Sequence, residues 1–163
     1  MSNVLIGVIG VILFIGLALA GALFLGDRFS NSKTDSEAAR FISEGAQIAR
    51  AYEMFQVQEG GYPTGNGFPA ATLDQSRLLE MVDKGYLKSI PEGGKRNVDN
   101  PNVTEWYIDN EKGTALTLIG TDEGSAKVCA AARRQAGFSG EIDDIKLCSA
   151  SDIANNDPCC TAR

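Results

Sequence analysis

Apolar residues fill positions 4–25 almost without interruption, and a stretch patterned for an amphipathic helix follows at 27–57. At about 1.5 Å of rise per residue, the apolar run is long enough to cross a hydrocarbon core of roughly 30 Å. Its side chains include Val4, Leu5, Val8, Ile9, Val11, Ile12, Phe14, Ile15, Leu17, Leu19, Leu23 and Phe24. The pattern then changes. Beyond the polar linker 29–34, Ala38, Phe41, Gly45, Ile48, Tyr52 and Phe55 recur in steps of three and four, which places them on one helical face. That face is expected to cover a sheet. Glu37, Arg40, Glu44 and Arg50 are left to solvent or to neighbouring subunits. Glu59-Gly60-Gly61 stops the helix.

A second helix is predicted over 73–85, with Leu78, Leu79, Met81 and Val82 inward, and Pro91, Gly93 and Gly94 mark a loop. Strands are predicted at 105–110 and 115–119, joined by Asn110-Glu111-Lys112-Gly113. A short helix at 125–135 carries Cys129, and a last strand is expected at 142–148 before an Asn-, Asp- and Pro-rich tail. The organisation expected is a membrane-spanning or filament-core helix at 1–26 and a globular domain at 27–163. That domain comprises the amphipathic helix half 27–59, a loop region 60–104, and the sheet with its cysteine-bounded tail, 105–163.

Glycines at 7, 10, 16, 21 and 26 interrupt the apolar run. Small residues let membrane helices approach closely, while each glycine weakens a helix by nearly 1 kcal/mol relative to alanine. Gly16 and Gly21 therefore bound a segment that is either a place for the helix to stretch or unwind, or ordinary membrane-helix packing. A cleaved secretory signal is the competing account of the terminus, and Ala18-Leu19-Ala20 offers the small-x-small pattern. The run is longer than an ordinary signal core and no Lys or Arg precedes it, so it is expected to persist. Arg28 and Lys33 alone favour a cytoplasmic C-terminus, and a basic leader ahead of Met1 would reverse that bias.

Charge narrows the function. All charged side chains follow Gly26, and the net charge of −6 argues against general nucleic-acid binding. The chain has no histidine, the commonest general base and metal ligand. Its four cysteines, Cys129, Cys148, Cys159 and Cys160, lie in the last fifth without a C-x-x-C, which favours disulfides in an oxidising compartment over zinc. A bond between adjacent Cys159 and Cys160 is strained, so each is expected to pair with one of Cys129 and Cys148. Asp143-Asp144 and Asn155-Asn156-Asp157 lack a calcium-loop frame and are expected to be solvated turn residues. Asn102-Val103-Thr104 is a formal glycosylation sequon, expected to carry no role. Trp106-Tyr107 is expected to pack in the sheet. No nucleophile elbow, P-loop or metal cluster stands out, so neither catalysis nor a cofactor is expected.

In its order of elements the chain resembles the type IV pilin superfamily, including the type II secretion pseudopilins. Gly61-Tyr62-Pro63-Thr64 directly after the long helix is similar to the phrase with which many pilins leave theirs. Leu79 followed by Gly85-Tyr86-Leu87-Lys88-Ser89-Ile90-Pro91 is similar to the next family segment. Val128-Cys129-Ala130 with the C-terminal cysteines resembles the disulfide-bounded region of type IVb pilins. The resemblance implies an α+β fold, a long N-terminal helix packed on a small antiparallel sheet and closed by a disulfide-bounded tail. It implies a structural subunit held in the bacterial inner membrane with its domain outside the cytoplasm. Extraction by an assembly ATPase and platform protein would then deliver it into an extracellular homopolymer, with no nucleic acid required. A secretion pseudopilin and a single-pass sensor or binding domain are the alternatives. Two departures follow if Met1 is the mature N-terminus: Leu5 and Ala22 then stand where family members typically carry glutamate and proline.

Overall fold

The computed structural model describes residues 2–68, 70, 72–93, 106–110, 112–120 and 122–161, the side chains of residues 2–5 and 23–29 lying outside that description. Two compact units result, Met1–Thr34 and Asp35–Arg163. Helix α1 spans Ser2–Glu59. The segment 29–34, read as a linker, is helical, and within it the Thr34 hydroxyl donates back to the Ser30 carbonyl at 3.1 Å. The helix stops where Gly60 takes φ +71°, a conformation costly for a residue with a Cβ.

In the second unit the predicted stripe is the buried one: Ala38, Phe41, Ile48, Tyr52 and Phe55 are all at most 5% exposed. Gly45 has a steric reason, since a Cβ there would meet the Ala115 carbonyl and the Trp106 ring at 3.4 Å. The main core cluster joins Ile48, Tyr52 and Phe55 to Leu78, Met81, Trp106 and Ile108. A second joins Ala38 and Phe41 to Val128, Ala131 and Ala132.

Helix α2, Leu73–Asp83, is capped by the Thr72 hydroxyl, which accepts from the Gln75 N–H at 3.2 Å. Its buried side differs from expectation. Leu79 and Val82 are half-buried, while Glu80 is buried, because its carboxylate accepts the Gly65 N–H at 2.8 Å and pairs with Lys84 at 3.5 Å. Strands β1, Trp106–Asp109, and β2, Thr114–Ile119, form the expected antiparallel hairpin. Helix α3, Glu123–Gln135, starts from Asp122, whose carboxylate accepts the Ser125 N–H at 2.8 Å. Predicted features at Gly94, Asn102-Val103-Thr104, Glu105 and Glu111 lie outside the described residues.

The expected strand at 142–148 is corrected. Ile142–Asp144 is a single 3-10 turn, consistent with the three-residue spacing of Ile142 and Ile145, whose backbone atoms bond at 3.1 Å. Of that segment only Leu147 makes an isolated bridge, to Thr161. The third strand is β3, Cys159–Thr161, which pairs parallel with β2. The sheet is therefore mixed, in the order β1-β2-β3, and not antiparallel throughout. A parallel pair needs a long crossover, supplied here by α3 and the tail.

Candidate assembly surface

Apolar exposure is concentrated on α1. Ile6, Val8, Ile9, Val11, Ile12, Leu13, Phe14, Ile15, Leu17 and Leu19 are each at least half exposed, rising to 74% for Phe14 and Leu17. These residues occupy every side of the helix, and isolated water-facing helices do not carry such a surface. Among the described residues no helix is long and apolar enough to cross a membrane. The stretch with described side chains, 6–22, spans about 25 Å, and Val4, Leu5, Leu23 and Phe24 fall outside it. Nothing lies within 4 Å of a Cβ built at Gly7, Gly10, Gly16 or Gly21. Among the described residues of that unit, no contact explains glycine at those positions.

A second feature lies in the domain. A groove of about 260 Å³ is lined by Phe41, Ile42, Ala46 and Ala49 of α1, by Thr114 and Ala115 of β2, and by Asn155, Asn156, Asp157 and Pro158 of the tail. The tail that forms its far wall is held from both sides. Cys129 bonds Cys159 (Cα–Cα 5.9 Å) and Cys148 bonds Cys160 (4.9 Å). One bridge ties β3 to α3 and the other ties it to the loop after the 3-10 turn. Each of the adjacent cysteines takes one of the two distant ones, as the strain argument requires.

Asp157 departs from expectation. Asn155 and Asn156 are exposed, but Asp157 is buried, its carboxylate 3.3 Å from the buried Arg133 guanidinium. It also accepts the Cys159 N–H at 3.4 Å. Burial pushes the Asp157 carboxyl above its ordinary range, and the Arg133 charge offsets only part of that rise. The Nε contact with Asp157 is an ion pair without hydrogen-bond geometry, and among the described residues the buried Nη1 finds no acceptor.

Arg40, exposed as expected, and the half-buried Glu44 both hold one backbone residue. The Arg40 guanidinium donates to the Gly93 carbonyl and the Glu44 carboxylate accepts the Gly93 N–H, both at 3.0 Å. Tyr52 closes another link. With its amide oriented to satisfy both neighbours, Asn110 donates to the Tyr52 hydroxyl at 2.6 Å and accepts from Arg77 at 2.7 Å. Arg77 in turn pairs with Asp74 at 3.1 Å. Burial pushes the Tyr52 phenol up to about 12, with Arg77 opposing. Burial likewise raises Asp74, Arg77 again opposing. These groups join α1, α2 and the hairpin turn. Trp106 packs in the core as expected, its indole N–H donating to the Pro91 carbonyl at 3.0 Å.

Among the described residues, no three His, Cys, Asp or Glu side chains gather to hold a metal ion. Comparison with known protein families, characterised proteins and solved structures finds no match to the chain. The groove and the Arg133–Asp157 pair are the features that sequence reasoning missed. Their residues lie far apart in the chain, and no local spacing announces them.

Proposed function

We propose that the chain is the structural subunit of an extracellular helical filament of the type IV pilus kind, polymerising through its N-terminal apolar helix. One observation carries the reading: ten large apolar side chains, each at least half exposed, surround a single helix, while a separate domain holds its own core. Fully covering each such side chain is worth about 1.5–3 kcal/mol relative to water. The helix must be covered by lipid or by copies of itself.

On this reading the subunit waits in the inner membrane, and an assembly ATPase with a platform protein extracts it. The helices then bury one another at the filament centre. Much of the gross hydrophobic term is offset, because the waiting helix was already out of water. Glycines that meet no described side chain of their own unit fit a helix whose close neighbours are other chains. The disulfide-held tail suits a domain on the outer shell.

Sheared cell-surface material, imaged by electron microscopy, tests the reading. Wild-type chain should yield filaments, and Ile12→Asp or Phe14→Asp should abolish them while the domain's melting temperature stays unchanged. Normal filaments from either variant refute a buried helical core. Recovery of wild-type chain only as detergent-soluble monomer refutes the filament itself.

A further inference from the structure

The geometry points to the groove between α1 and the tail as the seat for the apolar helix of a second copy of this chain. The inference rests on the filament reading and specifies one of its contacts. The groove is apolar where it meets α1, at Phe41, Ile42, Ala46 and Ala49, and its polar residues lie on the other side, Thr114 in β2 and Asn155, Asn156 and Asp157 in the tail. Its volume of about 260 Å³ exceeds that of a 150 Å³ cavity able to hold a benzene ring. One aromatic side chain and a branched neighbour therefore fit.

The chain itself carries the matching shape. Phe14 and Leu17 are the most exposed of its large apolar side chains in the apolar run, 74% each, and their spacing of three residues aligns them on one ridge. Ridge and groove lie on different surfaces of the same chain. A contact between unlike surfaces is heterologous, so it need not close a dimer and can propagate as an open helix. Small side chains at 46 and 49 let the incoming helix approach α1 closely, which is how apolar helices gain contact where water is already absent.

The rigidity of the far wall follows from the covalent frame. Pro158 precedes two consecutive bridged cysteines, and Asp157 is fixed by Arg133. The groove thus exists before anything enters it, and little ordering entropy opposes its filling.

Mixed full-length chains carrying Leu17→Cys on one copy and Ala46→Cys on the other test the seat. Oxidised during assembly, they should give a disulfide-linked dimer that neither variant gives alone. Ala46→Trp, which fills the groove from an exposed helical position, should lower filament yield at least tenfold with an unchanged domain melting temperature. Dimers from Ala46→Cys alone would mean symmetric pairing and overturn the seat. Wild-type-like assembly of the Ala46→Trp chain overturns the seat and leaves the filament reading standing. A wild-type chain that never assembles overturns both.

Discussion

Replacing Cys129 and Cys159 together with alanine should destabilise the domain more than replacing Cys148 and Cys160. The first bridge closes 30 residues and the second 12. Chain entropy then gives about 3.6 kcal/mol for the first and about 2.8 kcal/mol for the second. Packing adds to both. Cys129 and Cys159 are fully buried beside Ile119, and Cys160 is fully buried with Cys148 8% exposed in the cluster of Leu116 and Ile153, so a cavity penalty falls on each pair and the loop length sets the order. At roughly 4 °C per kcal/mol for a domain of this size, the losses correspond to melting-temperature drops of about 14 °C and 11 °C. The single tryptophan, Trp106, is 2% exposed in the main core, so its fluorescence reports domain unfolding without interference from the N-terminal helix. Losses should not add, because each bridge alone still tethers β3. A drop below about 1 kcal/mol for the first pair, or the reverse ordering, would refute the view that these bridges hold the tail.

Two further outcomes follow from single side chains. Burial raises the Asp157 carboxyl despite Arg133, so the native state takes up its proton before the unfolded chain does. That contribution to stability is fully present below the unfolded pKa of about 3.9 and is lost as pH rises through the folded value. Wild type should therefore gain on Asp157→Asn as pH falls from 7 toward 4 in paired melting curves. A shrinking gap would show that the ion pair outweighs desolvation. Gly65→Ala should cost more than Gly67→Ala, by about 1 kcal/mol or more. Both glycines have positive φ, but a Cβ at 65 would meet Ser76 Cβ at 2.7 Å while none lies within 4 Å at 67. Equal losses in denaturant titration would leave backbone strain as the whole cause.

What the sequence made legible was local. The stops at Gly60 and Gly85, with φ +71° and +82°, and the turn near Gly113 are each written within a few residues. The burial stripe on α1 was readable because a helix repeats it five times over. What escaped reading was decided by distant partners. β3 is three residues long, two of them cysteine, and its strand state depends on β2 and the two bridges. Asp157 looked like a solvated turn residue because its partner, Arg133, sits in another helix. The hold of Arg40 and Glu44 on Gly93 escaped because Gly93 lies about fifty residues away. The apolar helix was conspicuous from the outset, whereas the groove required the tail and α1 to be brought together.

The absence of a charge in the apolar helix changes what can fix its register. A buried carboxylate pays a large desolvation cost unless it finds its one partner, so it specifies position strongly. The run 4–25 contains no charged residue to supply such a constraint, and hydrophobic burial is non-directional. Shape remains. Glycines at 7, 10, 16, 21 and 26 leave gaps spaced by three, six, five and five residues, and no shift of one, two or three helical turns lays more than one gap over another. A helix with gaps so spaced presents a surface that does not repeat, and close packing penalises each misplaced side chain. On the filament reading, register is then set by steric fit between the glycine gaps and neighbouring ridges, together with the seat at Ala46. Cross-linking reads this directly. Dominant capture of residue 17 by residue 46 supports shape as the determinant, and equal capture of residue 13, one turn earlier, would show that the helix slides.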